Sequence, residues 1–96
     1  MILNGGVLGG KRFVSEALVK QMTSKQTGDA IKEGYGFGWS TSGGTFGHGG
    51  AYATSMNIDG QRGLITVWIV QHAGFSGDGV KSFNAFKQAA ENKFGK

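Results

Sequence analysis

The spacing of apolar residues along this chain switches from a helical repeat to a two-residue repeat and back again. Val14, Leu18 and Met22 recur every four residues with Val19 beside them, which is the repeat of one helix face. Ser15 can cap the first turn and Glu16 meets the positive end of the helix dipole, so a helix is expected from Glu16 to about Ser24. Gly28 then supplies a stop, and residues 29–34 read as a polar loop.

From Tyr35 the period falls to two. Tyr35, Phe37 and Trp39 alternate with Gly36, Gly38 and Ser40, predicting a strand with three aromatics on one face and almost nothing on the other. A face so bare implies close approach of another element or a ligand. Ser42-Gly43-Gly44 turns the chain, and Ala51 to Ile58 alternates again. Asp59 to Gly63 reads as a five-residue hairpin loop, and Leu64 to Val70 as a central buried strand apolar on both faces. After Asp78, a candidate N-cap, Phe83, Phe86, Ala90 and Phe94 form the stripe of an amphipathic helix that should lie on the sheet. These elements predict an α+β fold, a small antiparallel sheet of about three strands packed with N- and C-terminal helices.

Composition adds one surprise. Glycine occupies 19 of 96 positions, where average usage is about 7%. Each glycine inside a strand or helix costs about 0.5–1 kcal/mol relative to alanine. A chain of one domain's length or less is thus expected either to be marginal or to draw stability from outside itself, and residues 1–96 are read as a single partial domain. The absence of cysteine excludes a disulfide framework and a cysteine-based zinc site. The longest apolar run, Leu64 to Val70, is broken by Thr66 and far short of the roughly 20 residues of a membrane span, so no membrane segment is expected. Nor does a signal-peptide pattern open the chain. The ten cations behind the net charge of +4 are scattered and only two are Arg, which argues for a solvated surface and against nucleic-acid binding.

Several stretches invite a chemical reading. Gly5 to Lys11 nearly matches a phosphate-binding loop, but Arg12 stands where a magnesium-binding Ser or Thr belongs and the helix starts too late. Gly74 to Asp78 resembles a nucleophile elbow around Ser76, but the fifth glycine is missing and no histidine follows, so the stretch reads as a loop with helix-capping residues. His48 and His72 have no ligand spacing around them, so no metal site is expected. Phe46-Gly47-His48-Gly49-Gly50-Ala51-Tyr52 is the most informative stretch. Its glycines would let a ligand lie against backbone N–H groups able to hold an oxyanion, or they form a turn with an exposed histidine. The residues alone leave both readings open.

The segments Asn4 to Leu8, Gly10 to Ser15 and Met22-Thr23, together with Tyr35 to Trp39 and Phe46 to Tyr52, resemble the C-terminal part of the serine β-lactamase-like family. That family includes class C β-lactamases, D-alanyl-D-alanine carboxypeptidases and related esterases. Ile58-Asp59, Gly63 to Ile65 and the closing helix continue the likeness, so it spans nearly the whole chain. The resemblance implies a β-lactamase/transpeptidase-like fold and acyl-serine chemistry on esters, β-lactams or peptidoglycan-like amides. It puts His48 at the Lys/His position of the third catalytic motif and the Ala51 backbone N–H at one half of the oxyanion hole. Gly49, Gly50 and Tyr52 fall in the substrate-binding part of that motif.

None of the seven serines is followed three residues later by lysine, so the family's Ser-x-x-Lys nucleophile is missing. Neither tyrosine begins the second, Tyr-x-Asn motif. The chain is therefore expected to be a hydrolase fragment, inactive alone, whose first partner is the missing N-terminal portion. No cofactor is implied. The competing expectation is a non-catalytic module that associates with itself, as a homo-oligomer with or without exchanged elements. His48 in place of Lys leans towards the esterases, and the substrate and compartment stay open; family members often act outside the cytoplasm.

Overall fold

Two hairpins built on paired glycines set the course of the chain in a computed structural model, which describes residues 1–96. A 3-10 turn at Ile2–Asn4 leads into the first hairpin, β1 (Val7–Leu8) against β2 (Lys11–Arg12). The second joins β3 (Ser40–Ser42) to β4 (Thr45–Gly49). Gly9-Gly10 has φ of 57° and 77°, and Gly43-Gly44 has 54° and 88°. Two consecutive positive φ values make the tight turn whose twist matches that of its flanking strands, and glycine adopts them without steric penalty.

The main sheet is an antiparallel meander in the order β3-β4-β5-β6, with β5 at Ser55–Asp59 and β6 at Leu64–Trp68. Two helices, α1 (Glu16–Met22) and α2 (Gly79–Phe94), complete an α+β fold. Ser15 caps α1 by accepting the Leu18 N–H at 3.2 Å. α2 lies against β6, where Trp68 is held between Phe83 and Phe86 with ring centroids 5.7 and 5.3 Å away. The aromatic stripe thus meets the sheet as its period implies, except that Phe94 at the last turn is exposed.

Four expectations are corrected. The main sheet has four strands rather than about three, with the β1–β2 hairpin apart from it. β3 and β4 consist mostly of Ser, Thr and Gly, so no apolar alternation announces them. Residues 35–39 form no strand. Tyr35 makes a lone bridge to Ser40, and the chain bends through Gly38 at φ 87°. The close approach implied by the bare face does occur, since a Cβ on Gly36 would collide with the Met22 carbonyl at the end of α1. Ala51 to Thr54 is a turn, leaving only Ser55–Asp59 as strand. Finally, β6 lies at the edge of the sheet and is not buried centrally; its apolar residues alternate between the α2 side and an open side.

α1 also ends earlier than Ser24 and is tied to the rest by the bend at 34–39. The Met22 carbonyl accepts from the Phe37 N–H at 3.0 Å and from Trp39 Nε1 at 3.1 Å. Trp39 packs edge-on against Phe46 at 5.5 Å, closing one end of the core around Val19, Phe46 and Ile58.

The far end of the sheet is fastened by a buried carboxylate. Asp59 accepts from the Gln61 and Arg62 N–H groups, each at 2.9 Å, and from Arg62 Nη1 at 2.9 Å. The Arg62 N–H chiefly, then the Arg62 side chain and the Gln61 N–H, hold this carboxyl below its ordinary pKa against the opposing effect of burial. The hydrogen bond to Asp59, followed by the nearby Glu91 charge, raises the Arg62 guanidinium in turn. The Arg62 carbonyl accepts the Lys96 N–H at 3.1 Å, so the same loop holds the end of the chain just beyond α2.

Candidate functional site

β4 runs further than β3. Ser40 is opposite Gly47, and beyond that pair His48 and Gly49 have a partner on one side only, in Met56 and Ser55 of β5. The strand then turns sharply, with the Gly50 N–H donating to the Thr54 carbonyl at 2.8 Å. The turn is completed by Ala53 in a left-handed conformation (φ 56°), a position that favours glycine and is held here with the side chain only 4% exposed. The next donor after Gly50, the Ala51 N–H, has no partner in the chain, while the Ala51 carbonyl accepts the Gly74 N–H at 3.3 Å. An open N–H anchored through its own residue is the kind of fixed donor an oxyanion requires.

The His48 ring is exposed, with Nδ1 2.6 Å from the Gly49 carbonyl. A carbonyl only accepts, so the proton is assigned to Nδ1 and Nε2 keeps a free lone pair. Tyr35 meets the ring edge-on at 5.8 Å. The sequence does not place Tyr35 here. A strand at 35–39 would have carried it elsewhere, and the bend at Gly38 is what folds it back towards β4.

Beside His48, a shallow cleft of about 240 Å³ runs over β3 to β5, lined largely by small polar residues such as Ser40, Ser42, Thr45 and Asn57. A second, of about 180 Å³, joins His48, Gly49 and Gly50 to Met56, Val67 and Ile69. The structure thus brings His48, Gly49, Gly50 and Ala51 together at one strand end. Ala51 and Tyr52 line neither cleft, and Tyr52 is 62% exposed in the turn. No lysine lines either cleft, so the serines there have no ammonium to activate them.

The Gly5–Lys11 stretch forms no phosphate cradle. It is the β1–β2 hairpin, and Arg12 Nη1 is occupied by the Gly5 and Val14 carbonyls at 2.7 and 3.0 Å. No protein-family model matches the chain, and no curated protein matches it at a significant level. No helix is long and apolar enough to cross a membrane.

Proposed function

We propose that the chain is the C-terminal segment of a β-lactamase-like serine hydrolase domain and contributes the third-motif side of an acyl-transfer site. One observation carries this reading. His48 and the unpaired Ala51 N–H stand together at the free end of β4, where a carbonyl oxygen can reach the backbone donor and a substrate group can reach Nε2. In this role Ala51 supplies one oxyanion donor, and His48 orients substrate and adjusts the charge around it. The nucleophile and its activating lysine come from the absent part, so the His48 site does not turn over by itself.

The amount of exposed surface supports the partial-domain part of the proposal. A monomer of this mass ordinarily exposes about 5,300 Å². This chain exposes 6695 Å², and only seven of its 96 residues are buried. Its radius of gyration is 14.8 Å, against about 12.5 Å for a compact domain of this length. The surplus area is of the size that one partner contributes to a substantial interface.

A chimera in which a Ser-x-x-Lys-bearing N-terminal segment of the family precedes Met1 tests the proposal. Hydrolysis of p-nitrophenyl butyrate or nitrocefin beyond that of the chain alone is expected, and His48→Ala should remove about 10²-fold of that gain, the scale of one lost electrostatic group. A folded chimera that cleaves neither substrate overturns the reading.

A second reading rests on the edge of the sheet. β6 has no partner on its outer side and carries no charged residue, proline or bulge to block one, an arrangement that invites pairing with a second copy. Sedimentation velocity over a wide concentration range should then show dimers, whereas a concentration-independent monomer removes this reading.

A further inference from the structure

We propose that Ser76 and His72 form a nucleophile–base pair of their own, which takes acyl groups from small neutral esters at the mouth of an apolar cleft. Ser76 lies in the ten-residue connection 69–78 between β6 and α2, two residues before the N-cap Asp78. The histidine that the motif lacks after Ser76 comes four residues before it. Ser76 Oγ is 3.4 Å from His72 Nε2, a long contact of the kind that tightens once substrate is bound.

The other ring nitrogen sets the roles. His72 Nδ1 lies 3.1 Å from the Ala73 carbonyl and 3.3 Å from the Gly74 carbonyl. Both can only accept, so the proton belongs on Nδ1 and Nε2 is left as the base facing the hydroxyl. The carbonyls do for this imidazole what a buried carboxylate does in a three-residue site: they fix tautomer and orientation. The N–H of Gly77, immediately after the serine, has no partner in the chain and can receive the developing oxyanion.

The cleft defines the substrate class. Its volume is about 210 Å³, and Ala53, Val70, Phe75 and Trp68 give it an apolar wall around His72 and Ser76. That suits a short acyl chain or a single ring. No cationic side chain lines it to pair with an anionic substrate, and Asp78 is taken up by Lys81 at 2.9 Å.

The chemistry balances within these groups. Ser76 Oγ adds to the ester carbonyl carbon while His72 Nε2 takes the hydroxyl proton. The carbon–oxygen bond to the alcohol breaks, and the departing alkoxide takes that proton, leaving acyl-Ser76. Water, deprotonated by Nε2, then adds to the acyl carbon and releases the acid, returning the proton to Ser76. Nothing in this sequence involves His48, and the pair acts whatever covers the rest of the sheet.

The test is labelling of the folded chain with an alkyl fluorophosphonate, in which the serine oxygen displaces fluoride from phosphorus. Intact mass and peptide mapping should show one adduct, on Ser76, that is lost in Ser76→Ala and in urea-unfolded protein. His72→Gln should slow labelling and p-nitrophenyl acetate hydrolysis by about 100-fold, as expected for loss of a general base. Ser82→Ala, on the exposed side of α2, should label at the parent rate. Near-UV circular dichroism from Trp68 verifies that each variant is folded. No adduct on folded protein, an adduct on another serine, or full-rate labelling of His72→Gln overturns the proposal.

Discussion

The two sides of β6 differ in how they are covered. On one, Trp68 is sandwiched against Phe83 and Phe86 of α2, a cover the chain supplies for itself. On the other, Ile65 and Val67 are 50% and 51% exposed, and Ile69 just beyond the strand is 79% exposed. Phe46 on this second side is buried beneath Trp39, so its cover starts at β4 and stops before β6. In β6 the open side is the more apolar of the two, since Thr66 shares the covered side with Leu64 and Trp68. Whether an apolar side chain is buried is decided by what packs on it, and here half of one face has nothing within the chain to do so.

The largest break in this asymmetry should come from Trp68→Ala. Emptying the space between Phe83 and Phe86 should cost about 3 kcal/mol in urea unfolding and loosen α2 with it. A loss well under 1 kcal/mol would mean that α2 is not what secures the covered side.

That covered side was the legible part of the fold. The 3-4-4 spacing of Phe83, Phe86, Ala90 and Phe94 specifies one helical stripe whatever its surroundings, and the Ser15 cap is written in adjacent residues. Positions governed by contacts between distant residues were not legible. Tyr35 to Trp39 alternates as a strand would, yet the approach of α1 to Gly36 and the left-handed Gly38 make it a bend. Alternation through Ala51 to Thr54 likewise conceals a turn, because nothing local announces that an alanine will adopt a positive φ at Ala53. Leu64 to Val70 reads as central because both its sides are apolar, and only the strand order reveals it as an edge. At the candidate site, the glycine pattern singles out His48, Gly49, Gly50 and Ala51, which are adjacent in sequence. The contacts of His48 with Tyr35 and of Ser76 with His72 depend on how loops fold back, which no spacing rule encodes.

Asp59→Asn sharpens the comparison at the far end of α2. Weakening the charged bonds to Gln61 and Arg62 should cost about 2 kcal/mol at neutral pH. The Asp59 carboxyl is held below its ordinary value in the folded chain. Its contribution is therefore complete above the unfolded pKa of about 4 and is lost as pH falls through the lower folded value. Urea midpoints from pH 7 down to 2 should show that acid-linked loss in the parent and a flatter profile in the variant.

On the partly covered side the expected effects are smaller. Ser15→Ala removes the bond to the Leu18 N–H and should cost about 1 kcal/mol, read from the same unfolding curves. Val67→Lys should change monomer stability by no more than about 0.5 kcal/mol, because the side chain already faces solvent. If that open side helps hold copies together, the same substitution should abolish dimers in sedimentation velocity while the unfolding midpoint at low concentration stays put.

The meander also has a kinetic meaning. Each strand of β3-β4-β5-β6 pairs with the one just before it, across connections as short as Gly43-Gly44. No long loop has to close before the sheet starts to form, so the entropic barrier to each pairing is small and the low contact order favours rapid folding. The platform that presents His48 and Ala51 can therefore assemble early, from its own neighbouring segments.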